Sequence, residues 1–311
     1  GSIIAYADLQ TKILREHIDD TPITTNRFSY EWGDNLDSYA LVAAHDIASF
    51  DLYSDEEHEI AFYADLNYSL KSGNSWVMEY SPRSPELTRE MELMQQHGVD
   101  WLFFFKLNPF PAGQEQGQVS LMTITGEPSA NYAVVKNWAQ TVPEPPPPLS
   151  RTGLYYDFEC SWVHFHSIWG KYRERLVYQD YQINTVYRAL FHPGKRIRFF
   201  FRSQDIRDID TLIMPMQILW DPELENALIL FIQGGGTLIT TSDLFHKNRD
   251  NVYLTELPPF YKKVLQFTTN DFIYGDGREK TPVITGFGKG KIIMISRRAD
   301  LDEWKQYIYN K

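Results

Sequence analysis

Polar residues end several short apolar segments in the N-terminal part of this sequence. Glu79 follows the apolar run at residues 75–78, and Asn26, Asp51 and Lys106 hold comparable positions. The carboxyl ends of parallel strands are where β/α barrel enzymes place their catalytic groups. A carboxylate there, among aromatic side chains, can attack the anomeric carbon of a sugar. The series favours Glu79 as a nucleophile, although each of these residues alone is more often a loop cap or a solvated polar group.

Short apolar strands that alternate with helices must position these residues. Four strands are predicted in the first part of the chain, at residues 22–26, 47–50, 76–78 and 101–106. Five helices are predicted at residues 4–17, 39–44, 56–69, 85–97 and 131–140. Such alternation is typical of β/α units around a buried parallel sheet. Four strands are half of the eight that a β/α barrel needs.

A proline run divides the chain. The segment Pro143-Glu144-Pro145-Pro146-Pro147-Pro148 cannot continue a helix or pair in a sheet, so we expect a stiff, extended linker. It separates a first domain at residues 1–142 from a second domain at residues 149–311.

The second domain also alternates between strands and helices. Strands are predicted at residues 153–157, 197–201, 211–214 and 237–241, and helices at residues 178–191, 222–233 and 301–309. Gly234-Gly235-Gly236 ends the second of these helices, where glycine permits a positive φ. Residues 282–287 and 291–296 flank Gly288-Lys289-Gly290, which indicates a hairpin. The pattern predicts a flavodoxin-like, doubly wound α/β sheet.

The composition bounds the function. A net charge of −11 leaves no overall basic surface for nucleic acid. The chain has no apolar run of about 18 residues, so we expect no membrane span. The single cysteine, Cys160, excludes an intrachain disulfide framework and a multi-cysteine zinc site, and we expect a cytoplasmic protein without metal or cofactor. Aromatic residues form 15% of the chain, which fits either a sugar-binding cleft or a large aromatic core.

Three weaker motifs lie in the second domain. Cys160 lacks the flanking glycines of a nucleophile elbow, which disfavours an amidotransferase-type hydrolase. His164 and His166 are two residues apart and would share one face of a strand, where they could hold a metal, although polar surface is the more common explanation. The glycine run at residues 234–236 leads from a helix into a strand, the reverse of a phosphate-binding loop.

Several segments resemble, in the same order along the chain, the family 42 glycoside hydrolases, which are β-galactosidases. In the first domain these are Thr24-Thr25-Asn26, residues 46–53, Ala64-Asp65-Leu66, Trp76-Val77-Met78-Glu79-Tyr80-Ser81-Pro82 and residues 103–115. Residues 210–215 and 234–238 resemble the family's trimerisation domain. The resemblance implies a partial TIM barrel with strands five to eight, followed by a Rossmann-like domain related to class I amidotransferase folds.

The resemblance also implies roles for individual residues. Glu79 would be the nucleophile of a retaining hydrolase, and Glu115 a ligand of the sugar hydroxyl groups. The other implied substrate-binding residues are Asn26, Trp32, Asp51, Phe105, Lys106 and Gln118. Lys106 stands where the family usually has arginine, and Gln118 where it usually has histidine.

The second catalytic carboxylate of a retaining glycosidase has no candidate in the first domain. A retaining glycosidase needs two carboxylates about 5–5.5 Å apart. In the family the acid/base glutamate follows an asparagine at the end of strand four, and no Asn-Glu pair occurs in residues 1–142. We therefore expect the isolated chain to be catalytically incomplete, with exposed sheet edges. A partner chain with strands one to four or a second copy would complete the barrel; otherwise the chain is a fragment, or a relative that has lost the start of the barrel.

Two functions therefore remain open. The first is one part of a family 42-like enzyme that acts on a β-galactoside or a related carbohydrate. The alternative is a non-catalytic scaffold that binds carbohydrate or assembles with partners, which the departures at Lys106 and Gln118 favour. In either case the trimerisation-like domain predicts a homo-oligomer, a dimer or a trimer.

Overall fold

The computed structural model of this protein describes residues 2–29, 36–71, 73–141, 144–166, 178–203, 206–267 and 282–309. Two units are distinguished, Gly1–Pro148 with His192–Arg196, and Leu149–Phe191 with Ile197–Lys311. Both contain mainly parallel sheets, so the predicted α/β class is confirmed. Within the described ranges, no helix combines the length and the apolar character needed to cross a bilayer.

The first unit contains a four-stranded parallel sheet. Its strands are β1 (Asn26–Phe28), β2 (Ala48–Leu52), β3 (Ser75–Tyr80) and β4 (Trp101–Phe104). They are hydrogen-bonded in the order β1-β2-β3-β4, and every neighbouring pair is parallel. Each predicted strand has an observed counterpart, and the carboxyl ends of all four lie along one edge of the sheet.

The first strand lies farther along the chain than predicted. We expected it at residues 22–26, but it runs from Asn26 to Phe28. In the preceding segment Thr24 Oγ1 donates to Ile47 O at 3.0 Å and lies 2.8 Å from Ser49 Oγ. Hydrogen bonds of this kind, from a side chain to the backbone, compete with a strand ladder. Asn26 therefore begins β1 and does not end it, which corrects the prediction.

Five helices accompany this sheet in the part of the first unit that the structure describes. They are α1 (Ser2–Arg15), α2 (Ser38–Ala43), α3 (Glu57–Lys71), α4 (Leu87–Gln96) and α5 (Ala130–Ala139). Their bounds lie within two residues of the predicted ones. Asp37 is the N-cap of α2 and Ser129 is the N-cap of α5, because each side chain accepts a hydrogen bond from a backbone N–H of the first turn.

One face of the sheet packs against α3 and α4. The Phe50 ring lies 6.4 Å from that of Tyr63 in α3, and Tyr80 donates a hydrogen bond to Glu90 in α4. Asn67 of α3 joins two strands, because its Nδ2 donates to Ala48 O and Ser75 Oγ, each at 2.8 Å. These contacts fix β2 and β3 on the helix layer.

The opposite face carries a cluster of aromatic side chains, which we call the aromatic face. It consists of Phe28, Trp76, Trp101 and Phe103. The Trp76 ring lies 5.7 Å from each of the Trp101 and Phe103 rings. Phe28 is 65% exposed and Trp101 is 59% exposed. An apolar surface of this kind usually marks a place where another part of a protein packs.

The second sheet has six strands in the described part of the chain. They are β5 (Leu149–Tyr155), β6 (Arg196–Phe200), β7 (Thr211–Met214), β8 (Thr237–Thr241), β9 (Val283–Phe287) and β10 (Gly290–Ile295). Their order is β6-β5-β7-β8-β10-β9, and the pairs β5–β7, β7–β8 and β8–β10 are parallel. The two strands that follow β5 in the sequence, β6 and β7, lie on opposite sides of it, as in a doubly wound sheet. The predicted hairpin joins β9 to the antiparallel β10.

The described helices of the second unit include two that the sequence patterns did not predict. They are α6 (Phe158–His166), α7 (Tyr178–Tyr181), a π-helical segment (Gln182–Tyr187), α8 (Arg188–Leu190), α9 (Pro222–Gln233), α10 (Pro259–Lys263) and α11 (Leu301–Tyr309). The unpredicted helices are α10 and α6, and α6 contains His164 and His166. These two histidines lie in a helix and not in a strand, so the strand geometry considered for a shared metal site does not apply. His164 Nε2 instead lies 3.0 Å from Met216 O.

Candidate active site

A β-bulge sets the direction of the Glu79 side chain. Phe50 of β2 is paired with Val77 of β3, but the next pair is Asp51 with Glu79, which leaves Met78 as an extra residue. A bulge interrupts the alternation of side chains and re-aims one of them. Tyr80, the next residue, faces α4, where it contacts Glu90. Glu79 therefore points to the aromatic face of the sheet.

Tyr53 holds the Glu79 carboxylate. The phenol donates a hydrogen bond of 2.5 Å to Glu79 Oε2. Burial, and then this hydrogen bond, raise the pKa of Tyr53 far above its usual value, so the hydroxyl keeps its proton and remains a donor. Tyr53 is absent from the predicted set of site residues. Its spacing from Asp51 is the signal that could have identified it, because residues two apart in an extended segment lie on the same face.

Asp51 lies beside Glu79 and is buried, with 2% of the residue exposed. Asn26 Nδ2 donates to Asp51 Oδ2 at 2.7 Å, whereas Asp51 Oδ1 has no hydrogen-bond partner among the described residues. Burial raises the pKa of Asp51 to about 6; the hydrogen bond from Asn26 opposes this shift, and the charge of Glu79 adds to it. The site therefore holds two neighbouring carboxyl groups, and one of them titrates well above the usual range of an aspartate.

Lys106 supports the loop that follows β4. Its Nζ donates to the main-chain O of Glu115 at 3.1 Å and lies 3.9 Å from Glu115 Oε2. The same atom lies 3.3 Å from the centre of the Phe110 ring and 5.1 Å from that of Phe105. Lys106 is a buried residue, so its charge is engaged by the protein's own groups.

These contacts link six of the eight predicted site residues, namely Asn26, Asp51, Glu79, Phe105, Lys106 and Glu115. The start of the loop is tied to β3, because Phe105 N donates a hydrogen bond to Tyr80 O at 2.9 Å. Gln118 is exposed farther along the same loop. Trp32 lies outside the described residues.

The chain matches two family profiles and a group of curated proteins. The profile of glycoside hydrolase family 42, described as β-galactosidase, matches residues 1–144, and that of the β-galactosidase trimerisation domain matches residues 150–272. The β-galactosidase BgaA from Clostridium cellulovorans is 24% identical over 282 residues, which cover 83% of this chain and 42% of BgaA. The chain therefore spans less than half the length of this relative.

Solved structures share the fold over almost the whole chain. A polyextremophilic β-galactosidase from the haloarchaeon Halorubrum lacusprofundi is similar with a TM-score of 0.85 at 16% identity, covering 99% of this chain and 56% of that chain. A catalytic mutant of Gan42B, a β-galactosidase from G. stearothermophilus, is similar with a TM-score of 0.81 at 17% identity, covering 99% of this chain and 55% of that chain. At these identities the likeness establishes the fold.

Proposed function

Because the chain belongs to glycoside hydrolase family 42, we propose that its first unit supplies the nucleophile side of a retaining β-galactosidase active site. Glu79 is the nucleophile. The observation that carries this proposal is its position at the carboxyl end of β3, held by the 2.5 Å hydrogen bond from Tyr53. Retaining glycosidases use a carboxylate in such a position to form a covalent glycosyl–enzyme intermediate.

The proposed reaction needs one group that residues 1–142 do not supply. As Glu79 attacks the anomeric carbon of a β-galactoside, the bond to the leaving oxygen breaks and a second carboxylic acid protonates that oxygen. The same group then takes a proton from the water that releases the sugar. We propose that this acid, which the family carries in an Asn-Glu pair, comes from polypeptide outside these 311 residues. The chain alone is then catalytically incomplete.

The sheet of the first unit is proposed to be half of a TIM barrel, corresponding to strands five to eight. Its four strands are parallel and α3 and α4 cover one face, as in a β/α unit. The aromatic face occupies the place of a barrel interior, which apolar side chains fill. Four further strands would pair with the edges of β1 and β4 and bury this face. A longer form of this chain, a partner chain or a second copy would supply them.

The remaining site residues are proposed to contact or surround the sugar. The Glu115 side chain is about half exposed and can accept hydrogen bonds from sugar hydroxyl groups. Phe105 offers a ring face on which a pyranose can pack. Lys106 acts through the loop that it supports. Roles for Asn26, Trp32, Asp51 and Gln118 in substrate binding stay predictions, as do the linker at residues 143–148 and the cytoplasmic location.

Azide tests the role of Glu79. We would combine the chain with a polypeptide that carries the first four β/α units of a family member, and measure hydrolysis of an aryl β-galactoside. The combination should be active, and Glu79→Ala should abolish turnover. Azide fits the space left by the shortened side chain and attacks the same face of the sugar, so it should restore cleavage and yield the α-galactosyl azide.

Glu56→Ala is the matched control, because it removes an exposed carboxylate of the same unit. This variant should keep full activity and give no azide product. A β-galactosyl azide from Glu79→Ala would instead identify Glu79 as the acid/base residue. A combination that binds galactoside without any turnover would contradict the proposal and support the non-catalytic scaffold.

A further inference from the structure

The proposed reaction makes no use of Asp51, the buried carboxyl group beside Glu79. We propose that Asp51 is a positioning residue that changes its charge within the working pH range and so controls the electric field at Glu79. This inference rests on the proposed role of Glu79 as the nucleophile. It adds a pH-dependent group to the site that is not one of the two carboxylates of the retaining mechanism.

The strand register brings the two carboxyl groups together. Asp51 and Glu79 are paired across β2 and β3, and neighbouring strands in a sheet are about 4.8 Å apart. Because Phe50 faces α3, Asp51 points to the same face as Glu79. Asp51 is almost fully buried, so the repulsion between the two negative charges is less screened than at an exposed site.

The hydrogen bonds indicate which group takes up a proton. Glu79 accepts a hydrogen bond from the Tyr53 hydroxyl, and such a bond is strongest to a charged carboxylate. Asp51 accepts one hydrogen bond, from Asn26, and its Oδ1 has no donor among the described residues. A buried carboxylate oxygen without a donor is costly, and protonation removes the negative charge that this oxygen shares. The hydrogen bonds therefore favour protonation of Asp51.

The groups around Asp51 come from β1, from β3 and from the segment after β2. Burial, Asn26 and Glu79 have the largest effects on the pKa of Asp51, and Arg27 in β1 lowers it by a smaller amount. The resulting pKa is about 6. Burial lowers the pKa of Arg27 itself to about 10, so Arg27 stays cationic at neutral pH. Tyr53 keeps its proton. Asp51 is thus the group of this set whose charge changes closest to neutral pH.

The charge on Asp51 has a consequence for the proposed reaction. The transition state of glycoside hydrolysis carries positive charge near the anomeric carbon. Above pH 6 the Asp51 carboxylate adds a negative charge beside Glu79 and stabilises this state. As the pH falls through about 6, Asp51 becomes neutral and the stabilisation is lost.

Titration of the carboxyl groups in the full 311-residue chain tests the inference without any turnover. The side-chain carboxyl carbons of Asp and Glu are labelled with carbon-13, and the Asp51 signal is identified by its loss in Asp51→Asn. We expect its NMR titration midpoint near 6. Glu79→Gln should lower the midpoint, and burial, the largest cause of the shift, should keep it above about 4, the ordinary value of an aspartate. Asn26→Ala should raise it, because the hydrogen bond from Asn26 lowers the pKa of Asp51.

Glu115→Gln is the matched control. It removes a carboxylate of the same site whose charge acts on Tyr53, and it should leave the Asp51 midpoint unchanged. A wild-type midpoint near about 4, or one that does not move in Glu79→Gln, would overturn the inference. Because the titration needs no substrate, this result is independent of whether the completed enzyme hydrolyses galactosides.

The pH profile of the completed enzyme gives a second readout. Above pH 6, Asp51→Asn should lower kcat/KM by about tenfold, and the loss should disappear as the pH falls and the wild-type Asp51 becomes neutral. An equal loss at every pH would mean that Asp51 has only a structural role, and would also overturn the inference.

Discussion

The contact between Tyr53 and Glu79 links one side-chain geometry to one chemical step. A nucleophile reacts fastest when its orientation is already set before the substrate arrives. The Tyr53 hydroxyl is the donor that restricts rotation of the Glu79 carboxylate. Its raised pKa keeps the proton in place across the pH range in which the reaction is proposed to run.

Tyr53→Phe should lower kcat of the completed enzyme by about 10- to 100-fold, the cost of losing one hydrogen bond to a charged group. The KM for an aryl β-galactoside should change less, because Tyr53 acts on Glu79. Tyr132→Phe, which removes a hydroxyl from α5, should leave steady-state kinetics unchanged. Equal kinetics for Tyr53→Phe and the wild type would show that this hydrogen bond is not formed in the assembled site.

Individual residues differ in how far the sequence reveals their roles. Glu79 could be selected because an apolar run ends just before it. The extra residue at Met78 could not be predicted, since a bulge depends on the register between two strands. The burial of Asp51 also could not be read from a position at the end of a strand. Lys106 is drawn onto the Phe110 ring, a contact made across a loop that no periodicity describes.

At the scale of elements, regular segments were predictable and irregular ones were not. The helix α9 has an apolar periodicity, a Pro at its start and an Asp cap, and its predicted and observed bounds agree. The helix α6 is rich in aromatic residues, which are typical of strands. Its usable signal is Asp157, whose side chain accepts hydrogen bonds from Glu159 N at 2.9 Å and Cys160 N at 3.3 Å.

The hairpin β9–β10 depends on the absence of a side chain at Gly290. A Cβ there would lie 2.2 Å from Gly236 O and 2.3 Å from Ile232 O, both backbone atoms. Gly290→Ala should therefore lower the free energy of unfolding by about 1–3 kcal/mol or more, as overpacking does. Urea denaturation followed by tryptophan fluorescence measures this change.

Gly286→Ala is the control for this prediction, in the neighbouring strand of the same hairpin. Its added Cβ would meet nothing nearer than 3.9 Å, so its stability should stay close to that of the wild type. Similar losses in both variants would mean that the hairpin responds to side chains in general and not to the close approach at Gly290.

At the scale of the whole molecule, the two units differ in how completely their sheets are covered. The core of the second unit joins α9 to the sheet through fully buried Leu228 and Ile232. The sheet of the first unit is covered on one face by its helices and exposes aromatic rings on the other. The proline run predicted a division of the chain, but no pattern within the sequence identifies what would cover the aromatic face, because the sequence of a covering segment is not part of these residues.

The match of residues 150–272 to a trimerisation domain leads us to expect three copies in solution. Native mass spectrometry should then give three times the chain mass of 36.4 kDa. A chain that ends at residue 148 should lose this association. A mass of two copies would instead favour closure of the barrel by a second copy, and a monomer at micromolar concentration would contradict self-association.

The extra residue in β3 makes the direction of the Glu79 side chain depend on the register between β2 and β3. If Met78 paired with Asp51 in a regular register, Glu79 would pair with Leu52 and its carboxylate would turn towards the helix layer. The apolar core, the aromatic residues and the acidic residue would all still be present. A relative without this bulge would therefore keep the same residue types and direct the carboxylate to the other face, and a comparison of residue types alone would not detect the difference.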